Sequence, residues 1–198
     1  ANGKRHARSL GPKNILARAT AEDRCMEIAL EVNRAARAKR KTTAMVWPYI
    51  SDQMTRQLLE ACPNGSWRCL IALCRWGGLR SGEARRLRWS SIDWARSLIQ
   101  IVPTTAHVTT KQRPRTVPIC PELMAVLLAE RTEWELVCPE LGHNLPRDAE
   151  IIIGRSGLTP WSRPLHTLRQ ARQSDWLGKY PVFDVCSRLG HSPEVARR

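Results

Sequence analysis

The chain has 198 residues, enough for one ordinary domain with a tail or for two small domains, and a domain of about 150 residues needs no disulfide or metal to be stable. Its 32 lysines and arginines outnumber its 18 aspartates and glutamates, and the net charge of +14 favours a polyanionic partner such as nucleic acid. No apolar run approaches the roughly 20 residues that cross a bilayer, so we expect no membrane partner.

The N-terminal segment, residues 1–45, is strongly basic. Residues 1–41 carry 11 basic and 4 acidic residues, which is half of the net charge. Thr20 predicts the start of a helix over about 21–38, and the run Lys39-Arg40-Lys41 ends it. This run is either a solvated helix end or an interdomain linker or arm that lies on DNA phosphates, and the sequence favours neither.

Three helices are predicted next, over about 51–62, 66–76 and 82–89. Ser51 and Ser81 are the expected caps of the first and the third. Arg80 would then lie just before a helix N-terminus, beside free backbone N–H groups that attract anions.

Two strands are predicted at 98–102 and 115–119, with Lys111 in the polar stretch between them and a further short strand near His107-Val108. Such strands among helices predict a mainly α fold with a small antiparallel β-sheet, of the α+β class.

Three helices are predicted in the C-terminal half, and the apolar side of the first one extends to Trp134. The helices cover about 121–134, 165–176 and 182–189, residues 138–150 form a loop, and 151–153 form a short apolar segment. His166 and Arg169 share a helix face because residues three apart are neighbours. Gly190 ends the last helix, and a new helix starts at Ser192-Pro193.

Four motifs with basic residues stand in a fixed order along the chain. Each alone is more often structural than functional, but together, in these predicted elements, they contain the groups that hold a phosphodiester without metal. The motifs are Gly78-Leu79-Arg80 with Glu83, Lys111, His166-Thr167-Leu168-Arg169 and Leu189-Gly190-His191.

The ordered motifs resemble the catalytic domain of the tyrosine recombinase (phage integrase) family, over about residues 48–198. Arg115-Thr116-Val117-Pro118 also belongs to the resemblance. It implies that family's fold, with an integrase-type catalytic domain over 46–198 and at most the end of a core-binding domain plus linker over 1–45. The implied activity is metal-independent breaking and rejoining of double-stranded DNA through a 3′-phosphotyrosine.

The resemblance also implies how the charged groups divide the work. Arg80 and Arg169 would clamp the scissile phosphate and stabilise the transition state. Glu83 would orient the site without contacting the phosphate itself.

Proton transfer is assigned to the remaining motif residues by the same resemblance. Lys111 would protonate the leaving 5′-oxygen, His166 would accept or relay the proton of the nucleophile, and His191 would hydrogen-bond a phosphate oxygen. The segment from Lys111 to Arg115 is one residue shorter than in many relatives, so Arg113 is an alternative donor.

The family's nucleophilic tyrosine would stand two residues after Arg198, and no residue of this chain occupies that place. The two tyrosines, Tyr49 and Tyr180, fit core or rim positions better than the role of nucleophile. We therefore expect this fragment to bind and polarise a DNA phosphate without forming a covalent adduct. A homo-tetramer on DNA is expected for the full-length protein.

Other functional hypotheses remain open or fit the sequence less well. The same basic residues suit a non-enzymatic DNA-binding module or an inactive integrase remnant. A basic RNA-binding protein is weaker, because no RNA-binding signature is present. Core packing explains tryptophans such as Trp67, Trp76 and Trp89 better than base stacking.

The chain has seven cysteines, an odd number, and no Cys-x-x-Cys pair, which indicates reduced, buried thiols in a cytoplasmic protein. The resemblance implies that this protein is associated with DNA. The five histidines have no cysteine or carboxylate at a ligand spacing, so we expect no metal and no other cofactor.

Overall fold

The computed structural model describes residues 48–102 and 114–192, and in these ranges it contains seven α-helices and a three-stranded antiparallel sheet. The predicted class, mainly α with a small antiparallel sheet, is confirmed. The elements are α1 (Asp52–Glu60), α2 (Gly65–Arg75), α3 (Ser81–Arg85), β1 (Ile92–Asp93), β2 (Leu98–Ile101), β3 (Arg115–Pro118), α4 (Pro121–Ala129), α5 (Leu145–Arg155), α6 (Pro164–Leu177) and α7 (Val182–Leu189).

Some predictions lie outside the described residues. They are the helix over about 21–38 with the basic run that ends it, the domain division near residue 45, the strand near His107-Val108, the positions of Lys111 and Arg113, and the helix beginning at Ser192-Pro193.

Helix α2 forms the centre of the core. Nearly all of its side chains are apolar or small, and nine of its eleven residues are buried. It packs against α1, α3, α4 and α6. Trp67 and Trp76 are both buried, as predicted, while Trp89 is partly buried, packs against the core and stacks on Trp94.

The first two helices begin at side-chain caps. Ser51 Oγ accepts a hydrogen bond from the Met54 N–H at 3.2 Å, and Asn64 Oδ1 accepts one from the Trp67 N–H at 3.0 Å. Each cap satisfies a donor that the helix leaves unpaired. Both helices therefore lie within two residues of their predicted bounds.

The prediction for the third helix was wrong at both ends. Arg80, not Ser81, is the N-cap residue, and the helix ends at Arg85 instead of near Trp89. The chain leaves the helix because its backbone pairs with a distant segment: the Val137 N–H donates to the Leu87 carbonyl at 2.9 Å, and the Trp89 N–H donates to the Glu135 carbonyl at 3.1 Å.

The same pairing explains why α4 ends at Ala129 and not near Trp134. Residues beyond the helix turn toward the segment around Leu87, and the Trp134 side chain is 66% exposed. The predicted apolar side of this helix therefore does not reach Trp134.

Helix α5 corrects the predicted loop at 138–150. Asn144 Oδ1 accepts from the Arg147 N–H at 3.3 Å, and a proline lies in the first turn, where its missing N–H costs nothing. Residues 145, 149, 152 and 153 are buried at helical spacing, so the short apolar segment is the end of a helix.

The sheet has the order β1-β2-β3, with Ile99 opposite Val117 in the β2–β3 pair. β2 and β3 lie within one residue of their predicted ends, whereas the two-residue strand β1 was not predicted. β3 also packs against α7, which brings Arg115 toward the end of that helix.

The last two helices match their predicted ranges closely. Gly190 follows α7 with φ 67°, a left-handed conformation that glycine adopts without strain. No helix in the described part of the chain combines the length and the apolar character needed to span a membrane.

Candidate functional site

The turn between α2 and α3 meets the C-terminal end of α7, and α6 contributes side chains to the same place. Gly78 lies in this turn with φ 65°, and a Cβ atom there would come within 2.7 Å of Leu189 Cδ2. A glycine at position 78 therefore lets the turn and the helix end approach each other closely.

Arg169 links these two segments from α6. Its Nη1 donates to the Gly78 carbonyl and its Nη2 to the Leu189 carbonyl, both at 2.5 Å. Burial lowers the pKa of Arg169 first, and the positive charge of Arg80 lowers it further, to about 10, so the group remains charged at neutral pH.

Arg80 is the more open arginine, with 39% of its side chain exposed. Its Nη2 donates to the Gly190 carbonyl at 2.7 Å and its Nη1 to Glu83 Oε1 at 2.9 Å. A guanidinium has five N–H donors, so Arg80 keeps others for a ligand oxygen beyond the partners found among the described residues.

Glu83 is the carboxylate at the centre of the cluster. Its Oε2 accepts from the backbone N–H of Arg80 at 2.8 Å, which also fixes the start of α3. Burial acts to raise the pKa of Glu83, but the hydrogen bonds and charges of Arg115 and Arg80 outweigh it and lower the pKa to about 2. The carboxylate is therefore ionised throughout the physiological range.

Arg115 is the residue of this cluster that was not predicted as part of the site. Its Nη1 and Nη2 donate to Glu83 Oε1 and Oε2 at 3.0 and 2.7 Å, and its Nε donates to the Arg188 carbonyl at 3.0 Å. Alternation in β3 could have revealed it, because positions 115 and 117 share a face and Val117 is buried. A buried arginine on that face requires an acidic partner.

His191 follows Gly190 at the edge of the cluster. Its Nδ1 lies 3.2 Å from the Ser192 carbonyl and its Nε2 lies 3.1 Å from Gln173 Oε1 on α6. Burial lowers the pKa of His191, and the charge of Arg169 lowers it further. The pKa of His191 therefore lies below its ordinary value.

His166 stands on α6 one turn before Arg169. Its pKa is also lowered, first by burial and then by the charges of Arg163, Arg169 and Arg80. A neutral imidazole next to several cations can accept a proton, which is what a general base must do.

The two tyrosines have other partners. The Tyr49 hydroxyl donates to Asp175 Oδ1 at 2.6 Å, and this hydrogen bond raises the pKa of Tyr49. The Tyr180 ring stacks against Arg188, whose Cζ lies 4.1 Å from the ring centre. The raised pKa of Tyr49 makes its hydroxyl a poor nucleophile.

The structure thus brings together Arg80, Glu83, Arg169 and His191, with His166 within electrostatic reach, and adds Arg115. Lys111 and its alternative Arg113 lie outside the described residues. Three guanidinium groups against one carboxylate leave the site positively charged, which suits a bound anion. In residues 48–102 and 114–192 no group of three or more histidine, cysteine or acidic residues is placed to hold a metal ion.

Residues 48–138 match the phage integrase family. No curated protein sequence matches the chain.

Solved structures show where the fold occurs. The chain is similar to XerA recombinase (TM-score 0.62, 18% identity, 76% of this chain and 58% of that one). It is also similar to the catalytic domain of bacteriophage HP1 integrase (TM-score 0.57, 21% identity, 76% and 84%) and to XerH site-specific recombinase bound to difH substrate (TM-score 0.56, 19% identity, 76% and 50%). The chain therefore has the catalytic-domain fold of tyrosine recombinases and spans only half to three fifths of the two Xer proteins.

Proposed function

We propose that this chain, whose residues 48–138 carry a phage integrase family domain, is the catalytic domain of a site-specific recombinase that acts on double-stranded DNA. The observation that supports the proposal most strongly is the arginine cluster around Glu83, which presents a positively charged and only partly covered site at the end of α7. The proposal places the catalytic domain at 46–198 and a basic linker segment at 1–45.

In this proposal Arg80 and Arg169 bind the non-bridging oxygens of the scissile phosphate. Arg169 is held rigidly by two backbone carbonyls, and Arg80 has exposed N–H groups for the ligand. Donors fixed in advance stabilise the charge that develops in the transition state without having to reorganise, and the loss of one such donor typically costs about 10²–10³ in rate.

The histidines and Lys111 move protons in the same scheme. His166 takes the proton of a tyrosine hydroxyl as its oxygen attacks phosphorus, and Lys111 gives a proton to the 5′-oxygen that leaves. His191 hydrogen-bonds a phosphate oxygen. The tyrosine is the residue expected two positions after Arg198 in a longer form of the chain.

Double-stranded DNA is the proposed partner for two reasons. The chain carries a net charge of +14, and among its structural neighbours XerH is bound to difH substrate and lambda integrase is a dimer bound to a COC′ core site. Assembly as a tetramer on DNA is part of the proposal.

The test compares duplex affinity over a salt series for the parent chain, Arg80→Ala and the matched control Arg96→Ala. Arg96 also has an acidic partner three residues away, Asp93, but it is highly exposed and belongs to no cluster. We expect Arg80→Ala to weaken binding about tenfold and to lower the salt slope by about 1, as the loss of one phosphate contact does. An Arg80→Ala chain that bound DNA like Arg96→Ala would contradict the proposed site.

A further inference from the structure

Arg115 differs from Arg80 and Arg169 in that all three of its guanidinium nitrogens donate hydrogen bonds to the protein. Its side chain is 7% exposed, like that of Arg169, but Arg169 donates from its two Nη atoms only, and Arg80 is 39% exposed. The three hydrogen bonds of Arg115 all go to the protein, two to the Glu83 carboxylate and one to the Arg188 carbonyl. Its effect on a ligand must therefore pass through these partners.

The first partner connects Arg115 to Arg80. Glu83 Oε1 accepts from both Arg115 Nη1 and Arg80 Nη1, at 3.0 and 2.9 Å. The forked pair with Arg115 fixes the plane of the carboxylate, because a guanidinium and a carboxylate match in two parallel bonds. That plane in turn sets the direction in which the Arg80 guanidinium points.

The second partner connects Arg115 to His191. The Arg188 carbonyl belongs to the last turn of α7, and a Cβ atom on Gly190 would lie 3.1 Å from Arg115 Cδ and Nη1. The Arg115 side chain therefore packs directly against the left-handed turn at Gly190. That turn carries His191 and presents the carbonyl that receives Arg80 Nη2.

We infer that Arg115 is a positioning residue that aligns Arg80 and His191 for one bound phosphate by fixing the Glu83 carboxylate and the end of α7. The inference rests on the proposed function, since it assigns a role within the same site.

The test uses Arg115→Lys and Arg115→Met in the whole chain, with Arg68→Met as the matched control. Arg68 forms an equivalent forked pair with Glu130, Nε to Oε1 at 2.5 Å and Nη2 to Oε2 at 3.1 Å, but this pair joins α2 to the end of α4 outside the cluster. Arg115→Lys keeps the positive charge and loses the fork, so it separates alignment from charge and serves alone if Arg115→Met does not fold.

The measurement is a titration with inorganic phosphate, followed by NMR at the Arg80 Nε–H and the His191 ring, together with the unfolding midpoint of each variant. We expect phosphate to shift both signals in the parent chain and in Arg68→Met, and to bind about tenfold more weakly to both Arg115 variants. We also expect His191 to titrate closer to its ordinary pKa in these variants, because it is held less firmly in its partly buried place.

Each other outcome overturns a defined statement. If phosphate shifts neither signal in the parent chain, the proposed function fails and the inference fails with it. If the parent chain binds phosphate and Arg115→Lys binds it equally well, the inference alone is overturned. An Arg115 variant can be less stable than the parent chain and yet have the same phosphate affinity and the same His191 titration. That result would mean that Arg115 only stabilises the fold, and it would overturn the inference as well.

Discussion

At the scale of single residues, the site depends on one carboxylate that neutralises part of a group of arginines. Glu83 bonds to Arg80 and Arg115 and lies 3.9 Å from Arg169 Nη1. A lone buried carboxylate costs a great deal of free energy, and so does a lone buried guanidinium. The pairs make burial possible for both, and the excess positive charge remains for a ligand.

Substituting Glu83→Gln should remove a pH-dependent part of the free energy of unfolding. Because folding lowers the pKa of Glu83 from 4.5 to about 2, this stabilisation is complete above about pH 4.5 and is lost as the pH falls toward 2. The difference from the parent chain should be about 3 kcal/mol at pH 7. Urea unfolding at a series of pH values measures it.

The control for this change is Glu60→Gln, a substitution of an exposed carboxylate on α1. It should leave stability within about 0.5 kcal/mol of the parent at every pH. A Glu83→Gln chain whose deficit stayed constant from pH 7 to pH 3 would show that the ionised carboxylate is not what stabilises the cluster.

The residue scale also shows how far sequence reasoning reaches. The motif order placed Arg80, Glu83, Arg169 and His191 in one site, and the structure brings these side chains together. Arg115 was missed because it was interpreted as part of a strand. Its importance comes from a partner 32 positions earlier in the chain, and such a contact has no local signature.

At the scale of elements, the site depends on the turn between α2 and α3 lying against the end of α7. Gly78 and Gly190 both have positive φ, and they lie in the two segments whose carbonyls Arg80 and Arg169 use. The two turns direct backbone carbonyls toward the guanidinium groups of Arg80 and Arg169. These turns need a left-handed backbone conformation, which glycine adopts without strain.

Replacing Gly78→Ala should destabilise the fold by about 1–3 kcal/mol. The added Cβ would meet Leu189 Cδ2 at 2.7 Å, and alanine is strained at φ 65°. The thermal unfolding midpoint should fall accordingly, and phosphate affinity should fall with it because the Gly78 carbonyl, one of the two carbonyl partners of Arg169, would be displaced.

Gly154→Ala in α5 is the matched control, because a Cβ there meets nothing within 4 Å. This change should stabilise the chain by about 0.5–1 kcal/mol, as removing a glycine from a helix does. Equal effects of the two substitutions would show that close packing of the turn against α7 is unimportant.

The accuracy of the predicted elements follows from what determines their ends. Helices with side-chain caps, such as α1 and α2, lie close to their predicted bounds. α3 and α4 were predicted too long because their ends are set by long-range backbone pairing between residues 87–89 and 135–137. α5 had a readable signal in Asn144 and Pro146, which the loop prediction overlooked.

At the scale of the whole molecule, helix α2 joins the core to the site. Arg75 at its end is buried, donates to the Ile50 carbonyl at 2.8 Å and pairs with Asp175 on α6 at 2.6 Å. This buried pair fixes α6 against α2, and α6 carries His166 and Arg169. The pair therefore connects the central helix of the core to the helix that carries two of the site residues.

In the proposed function the described residues hold and polarise a phosphodiester, and a tyrosine attacks it. Attack would form an oxygen–phosphorus bond to the tyrosine and release a DNA 5′-hydroxyl. The hypothesis of a DNA-binding module and the hypothesis of a recombinase both use Arg80 and Arg169 to bind phosphate. They differ only in this covalent step.

The most direct measurement uses the chain extended so that a tyrosine stands two residues after Arg198. It is mixed, in the presence of EDTA, with a nicked duplex selected for binding to this chain, and denaturing gels detect any covalent protein–DNA adduct. The proposed function predicts an adduct that forms without metal, disappears in Arg80→Ala and persists in Arg96→Ala. No adduct from a DNA-binding extended chain, or an adduct that forms equally in Arg80→Ala, would contradict it.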